Sequence, residues 1–465
     1  MIRVGARSAA ARSGTGEHAG FGRKFITPLL LGSVLNPVNS TMIATALAAV
    51  GTDLHVGAAQ TAWLMASLYL ASAIGQPLMG RFADLLGPRR VFLVSLVLVC
   101  AAGAVGALAP SLGWLVASRV LLGFGTSAAY PAAMALLRAE SERLGQETPR
   151  TVLGLLSLAG LSSAAVGPVL GGVLTASLGW RAIFAVNIPL SLLALVLAAL
   201  WLPGGRPGGP SRTTARIDPL GIALFGAVLT TTTVFLMRID HPRWLLLPVL
   251  VVLGALLTWW ELRRTVPFLD LRMLTRNRAL ATTYLRHCVA YLIIYCVMYG
   301  YSQWLEEAHG VSVFDAGLVM LPMSVAAAVC SLLGARTKGV RAQLTLAAAL
   351  LAVGSAGLLL AGRHTPLAAV LLIGAVFGLP QGLTSTGNQA AVYAQAPPGG
   401  TGAAAGLQRT AQYLGAIAAS SLIGLFYGSR ATDAGLHGMA ATAGVLSLVL
   451  LVLTIADRAL RPRRR

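Results

Sequence analysis

A few polar residues stand where the surrounding sequence is almost wholly apolar, and their types suit charge pairing and proton exchange. Arg119 lies in Arg119-Val-Leu-Leu122-Gly123-Phe-Gly125. A charge inside an apolar helix costs at least about 2.5 kcal/mol to bury in a bilayer, so it marks function by default. The plainer reading is an arginine whose head reaches an interface. Arg286 and His287 open another apolar run, and Glu306 and Glu307 close it after Tyr301-Ser-Gln303-Trp304. Histidine titrates near neutral pH, although a lone histidine near a helix end is usually structural. Arg119, His287, Glu306 and Glu307 are therefore the candidates for coupling to protons. If Arg286 and Arg119 faced one cavity, they would favour an anionic or strongly polar ligand group.

Asp84 sits among bases in Gly80-Arg-Phe-Ala-Asp84-Leu-Leu-Gly87-Pro-Arg89-Arg90. An acid at a helix junction pairs with arginine or with a helix N-terminus. Asn36 and Asn39 are three apart and share a helical face. Gln381, Asn388 and Gln412 are further uncharged polar residues in apolar runs. Tyr291, Tyr295 and Tyr299 form an i, i+4, i+8 stripe, either a packing surface or a stacking wall for flat hydrophobic ligands. Covalent and metal chemistry lack their signatures. The chain has no Gly-x-x-x-x-Gly-Lys-Ser/Thr loop, no zinc-protease or hydrolase motif and no metal-ligand spacing among its four cysteines. An enzyme, a cofactor and a bound metal are not expected.

The elements that must position these residues are apolar and long. Of 465 residues, 56% are hydrophobic and 11% charged, against about a quarter charged in soluble domains. A hydrocarbon core about 30 Å thick needs about 20 apolar residues per helix. That length is met at 25–50, 60–80, 91–110, 112–137, 152–177, 180–202, 218–237, 243–260, 280–304, 315–335, 341–362, 366–393, 405–428 and 436–456. Backbone polar groups in lipid must be satisfied internally, and these runs are too long for barrel strands. The expectation is an all-α integral membrane protein with 14 transmembrane helices.

The formal charge of +20 would suggest nucleic acid in a soluble protein, but here it is topological. Twenty-seven of the 35 Lys and Arg residues fall in the two tails and alternate loops. Five fall in the opposite loops: Arg181, Arg238, Arg243, Arg363 and Arg430. This bias places both termini in the cytoplasm. Nucleic acid is not an expected partner; the lipid bilayer is. Arginine outnumbers lysine 33 to 2, which suggests a high-GC bacterial genome and the bacterial inner membrane.

The short basic loop after the second span has a counterpart after the tenth, Gly334-Ala-Arg336-Thr-Lys338-Gly339-Val-Arg341. Two related six-helix halves follow, with two helices inserted between them. The expected divisions are a basic tail (1–24), an N-terminal six-helix bundle (25–202), the inserted helices with their linkers (203–279), a C-terminal six-helix bundle (280–456) and a second basic tail (457–465). Parallel repeats of this kind place a ligand site near the midplane between halves.

The segment Gly80–Arg90 resembles the loop signature of the major facilitator superfamily through Gly80, Ala83, Asp84, Gly87, Arg89 and Arg90. The resemblance implies that Asp84 and its arginines latch the halves on the cytoplasmic side. Ser163-Ala-Ala-Val-Gly167-Pro168-Val-Leu-Gly171-Gly172 resembles the superfamily's antiporter signature, which ties Gly167, Pro168, Gly171 and Gly172 to exporters. Trp180-Arg181 through Pro189, Pro267 through Arg278, and Gly400 through Gly415 are similar to the fourteen-span drug:proton antiporter (multidrug efflux) family. The likeness extends over roughly 30–460 and implies alternating access, a small-molecule substrate, proton coupling and a monomer. Arg119 matches that family's span-4 arginine, implicated in proton coupling. One departure is chemical: Asn39 stands where the drug-antiporter branch carries an acid, and none of the 15 acids falls near a predicted midplane. Asn39 keeps the shape and cannot titrate, which leaves an uncoupled facilitator, an importer of a polar metabolite, or a membrane sensor as alternatives.

Overall fold

The computed structural model describes residues 21–145, 150–203, 218–238, 242–264, 267–268, 271–334, 339–396 and 401–460. Most of both basic tails and all of the 206–216 linker lie outside these residues. Helices coincide with every predicted span: α1 (Arg23–Asp53), α2 (Ala58–Leu86), α3 (Pro88–Ala107), α4 (Leu112–Leu144), α5 (Arg150–Leu178), α6 (Ala182–Trp201), α7 (Pro219–Leu236), α8 (Leu246–Arg263), α9 (Arg278–Glu307), α10 (Val313–Gly334), α11 (Val340–Leu359), α12 (Leu367–Gln395), α13 (Thr401–Tyr427) and α14 (Asp433–Ala456). Among the described residues, eleven helices are long and apolar enough to cross a membrane; α2, α5 and α13 are outside that set.

The local reasons are ordinary ones. Pro88 and Pro219 start helices, where a missing N–H costs nothing. Asp218, Asn277, Ser312 and Thr432 cap α7, α9, α10 and α14 by accepting from backbone N–H groups. The predicted loop at 81–90 is shorter than the charge pattern implied. Helix α2 runs on to Leu86 and α3 begins at Pro88, so the turn is Gly87 alone, at φ +89°, a conformation cheap only for glycine. Gly80 and Asp84 therefore belong to the last turns of a helix.

Two helices change register. Helix α1 tightens into a 3-10 turn at Ile43–Ala46, and α9 widens into a π turn at Cys296–Tyr301. Such shifts redirect backbone carbonyls and side chains, and π turns favour functional sites.

Packing repeats with an offset of eight helices. The pairs α1–α5, α2–α4, α3–α6 and α1–α6 recur as α9–α13, α10–α12, α11–α14 and α9–α14. The first six helices meet the last six along two equivalent seams, α2 against α13 and α5 against α10. Helices α7 and α8 pack on each other at the periphery, with 22% and 11% of their spans buried against 67% for α1. Sequence spacing alone does not place them there.

We call the side where α1 starts and α14 ends proximal, and the other distal. On the proximal side, Arg341 donates to Ile455 O, and Asn277 donates to Gln395 O at 2.7 Å. On the distal side, the indole of Trp180 donates to Asp53 at 3.0 Å and that of Trp304 to Asp433 at 2.7 Å.

The glycines of α5 set how closely the helices approach. A Cβ at Gly167 would collide with the Thr41 side chain, and one at Gly171 with Met42 O and with Thr45 Oγ1 at 2.6 Å. Gly172 faces the other way, onto α10, where its added Cβ would meet Gly317 Cα at 3.3 Å. Gly171→Val is expected to destabilise the protein by about 1–3 kcal/mol. Gly80→Ala, whose added carbon meets nothing within 4 Å among the described residues, should raise stability by about 0.5–1 kcal/mol. Thermal unfolding in detergent checks both, and equal midpoints for Gly171→Val and wild type would refute the packing assignment.

Candidate functional site

The polar groups inside the bilayer gather where α1 changes register. Arg119 reaches from α4 and is 2% exposed. Its Nε donates to Leu64 O at 3.0 Å, and Nη1 and Nη2 donate to Asn39 O at 3.2 and 3.3 Å. Among the described residues it pairs with no carboxylate, so backbone dipoles of α1 and α2 hold the cation. This is an interior position, not a snorkelling one.

Asn39 carries that carbonyl, but its side chain points elsewhere. Its amide and that of Asn187 on α6 bond reciprocally at 2.6 and 2.8 Å, fully buried. An amide pair satisfies both donors and acceptors without charge, whereas an aspartate at 39 would leave one acceptor of the pair facing another. Asn187 stands inside the Trp180–Pro189 segment, and two asparagines in apolar helices were the available signal for this pair.

One residue on, Ser40 O accepts from the Tyr299 hydroxyl. Having given its proton there, Tyr299 accepts from Tyr69, 2.5 Å away. Tyr299 is placed for this by the π turn of α9. The stripe read from sequence is thus one wall of a larger aromatic cluster joining the two helix sets. Tyr295 stacks on Tyr299 with centroids 5.7 Å apart, and Tyr291 lies 5.6 Å from Tyr295. The Tyr69 ring packs 5.2 Å from Tyr295 and 5.6 Å from Tyr413. Gln412 donates to the Tyr295 hydroxyl at 2.9 Å and accepts from Arg409 at 3.0 Å. Gln76 donates to Tyr413 across the seam at 3.1 Å. Tyr69, Gln76 and Tyr413 were not singled out from sequence. The seven-residue spacing of Tyr69 and Gln76, two turns on one face, carried the information.

The two sides of this cluster differ. On the distal side, Ser302 reaches Ala44 O at 3.4 Å, Gln303 reaches Thr61 at 3.4 Å, and Ala59 N donates to Gly428 O at 2.8 Å. Toward the proximal side, Gly80 lies one turn beyond Gln76 and Gly406 two turns beyond Tyr413. A carbon added to either meets nothing within 4 Å among the described residues. Arg409 is exposed although it lies within a membrane-length helix, and Asn36, Gln76 and Gln381 are half-buried. Among the described residues, the hydrogen bonds named here between the helix sets lie at or distal to Gln76 and Tyr413.

The remaining sequence candidates are placed as follows. Asn36 bridges to Thr126 on α4 at 2.8 Å. Asn388 sits inside the last six helices, beside a cavity of about 10 Å³ that it shares with Arg286 and Thr454, away from the seam. Arg286 is neutralised by Asp457, so an anion site shared with Arg119 does not form. His287 is buried under Tyr291, with ring centroids 4.6 Å apart, and its Nδ1 has no hydrogen-bond partner among the described residues. Arg89 donates to Ala199 O at 2.8 Å, tying the α2–α3 turn to α6 within the first helix set, and Arg90 is exposed. The Asp84 side chain lies outside the described residues. Glu306 and Glu307 end α9 on the distal side; Glu307 accepts from Ala431 N at 2.6 Å.

The family description Major Facilitator Superfamily matches residues 29–420 and, in a second overlapping match, 283–464. The chain is 33% identical to an uncharacterized MFS-type transporter of Bacillus subtilis (strain 168), YwoD, over 88% of this chain and 91% of that one. It is 27% identical to the tetracenomycin C resistance and export protein of Streptomyces glaucescens, over 87% and 75%. The nucleoside transporter NupG has the same fold at 12% identity, with a TM-score of 0.66 over 93% of this chain and 99% of that one.

Tyr299→Phe leaves Ser40 O and the Tyr69 hydroxyl without their shared partner. The distal contact should weaken by about 1–3 kcal/mol. The expected reading is faster reaction of a Thr61→Cys variant with a membrane-impermeant maleimide when Tyr299→Phe is added. An unchanged rate would show that the Tyr299 hydroxyl does not hold the distal contact.

Proposed function

This chain belongs to the Major Facilitator Superfamily of membrane transporters, and from that premise we propose that it exports drug-like or secondary-metabolite small molecules by alternating access. In this reading the protein is a monomer with fourteen spans in a bacterial inner membrane. Its proximal side is the cytoplasm, and two six-helix bundles rock about the aromatic cluster. Substrate enters from the proximal side, where the bundles part, and leaves when the distal contacts open.

The observation that supports the reading is the one-sided distribution of the contacts between the helix sets. A cluster of buried tyrosine rings with Gln76, Gln412 and Arg409 lies just proximal to the distal contacts. Aromatic faces beside a few hydrogen-bonding groups suit flat amphipathic molecules. The glycine face of α5, which binds α1 and α10 at once, supports export because the antiporter-like segment carries it. The likeness to an antibiotic export protein points the same way. Energy comes from the proton gradient, with the carboxylates at the end of α9 in place of the acid that Asn39 lacks. Arg119 fixes α4 to the register shift in α1 and so links the gate to the rest of its bundle.

Dye and drug flux in inside-out vesicles, with and without a protonophore, tests this. Accumulation that collapses with the protonophore is the expected result. Flux that persists would replace coupled export by facilitation, and no flux across a chemically broad panel would overturn export. Asp84→Asn is expected to slow transport by about tenfold or more at equal expression, the loss of one charge-assisted contact. Unchanged turnover would remove the latch.

A further inference from the structure

The distal mouth contains a carboxylate in an environment that a carboxylate anion does not tolerate. A cavity of about 500 Å³ lies between the helix sets there, lined by Thr52 and Thr61 on one side and by Glu306, Glu307 and Arg430 on the other. The two adjacent glutamates are treated differently. Glu307 is anchored: its carboxylate accepts from Ala431 N at 2.6 Å, and Arg430 donates to its backbone carbonyl at 2.8 Å. Glu306 has both oxygens buried, and among the described residues neither has a hydrogen-bond partner of sound geometry; the Ser302 hydroxyl, about one turn back, is the polar side chain beside them. One turn back, Gln303 Oε1 is also buried and, among the described residues, unpartnered.

The groups around Glu306 do not neutralise it. The charged residues lining this cavity are Glu307 on its own helix and Arg430 from the α13–α14 loop. Helices α1 and α2 present Thr52 and Thr61, and α10 presents Ser312 and Val313. Asp53 is engaged by Trp180 and Arg181, and His309 is turned to Thr365 O. An ionised carboxylate buried without a partner costs several kcal/mol, so such a group is neutralised. An organic cation cannot reach oxygens this closed off, but a proton can.

We propose that Glu306 is a proton-binding site that ties protonation to closure of the distal gate. With the gate closed, Glu306 is neutral and α9 packs against α1 and α2 through Ser302 and Gln303. With the gate open, water reaches the carboxylate and it ionises. The closed state binds the proton more tightly, so acid on the distal side favours closure and rising pH favours opening. For one linked proton, the open-to-closed ratio changes by up to about tenfold per pH unit. The proposal rests on the alternating-access reading above and names the group through which distal protons act on it.

The test is the distance between spin labels on Thr52→Cys and Ser429→Cys, on opposite sides of the cavity, in the reconstituted full chain with Cys100, Cys288, Cys296 and Cys330 replaced by alanine. Between about pH 5.5 and 8.5, the long-distance population should rise by about tenfold or more. Glu306→Gln should hold the short distance at both ends, while Glu306→Asp and Glu307→Gln keep the response. A Glu306→Gln protein that still opens with pH overturns the proposal, as does a wild-type distance that never changes. The readout is independent of substrate. Intact protonophore-sensitive flux with a gate indifferent to Glu306 refutes this site and leaves export standing. A gate that responds to Glu306 in a chain that moves no substrate does the reverse.

Discussion

Inside a bilayer a buried polar group has only the protein to bind, and six residues of α1 meet that demand for both helix sets. Asn39 O receives Arg119, Ser40 O receives Tyr299 and Ala44 O receives Ser302. The 3-10 turn at Ile43–Ala46 lies in the same stretch. The first of these contacts is within the first helix set, and the other two cross to the last. A relative rotation of the sets must break the Tyr299 and Ser302 contacts and can leave Arg119 in place. The buried cation is thus a fixed point of one set, while the tyrosine is the removable part of the junction. A hydrogen bond contributes about 0.5–1.5 kcal/mol net, weak enough to break in each cycle.

The close packing obeys the same division. Gly167 and Gly171 hold α5 on α1 inside one set, where a side chain of any size would collide with Thr41 or Met42. Gly172, on the same helix, holds α5 on α10 across the seam, against Gly317. One helix carries both a permanent and a separable surface, and the glycines make each a backbone-to-backbone contact. Such surfaces come apart without repacking long side chains, and they re-form in one register because the fit is steric.

Much of this was legible in the sequence because the bilayer imposes a length. The fourteen apolar runs match helices closely, and the glycines of α5 announced tight packing by their spacing. What stayed hidden was orientation around each helix axis. Asn39 and Tyr291 both looked like lining residues, yet Asn39 turns its amide to Asn187 and away from the seam, while Tyr291 joins the cluster. An asparagine satisfies itself equally well on either face, so its type carries no direction. The π turn at Cys296–Tyr301 was also invisible, because no residue type demands one, and it decides where Tyr299 points. Gly317 has no special backbone angle to flag it; only the approach of α5 explains it. Glu306 and Glu307 were indistinguishable as a pair. The Ala431 N–H contact separates them, and it depends on where a loop more than a hundred residues away comes to rest.

The glycines along the α2–α13 seam carry one further implication. At the distal end, smallness is in use: a carbon added to Gly57 would meet Ser429 Cα at 2.8 Å, and one added to Gly424 would meet Ala59 Cα at 3.3 Å. At the proximal end of the same two helices, Gly80 and Gly406 face nothing within 4 Å among the described residues. A glycine inside a helix costs about 0.5–1 kcal/mol relative to alanine, so an unused one is a stability loss in this conformation. The loss is offset if the seam also closes at that end. The two helices then have glycine where each of two alternative contacts would form, and only one contact is made at a time. In the proposed alternating access, rocking about the tyrosine cluster, with Tyr69 and Tyr413 near the pivot, would exchange one glycine contact for the other at little net cost.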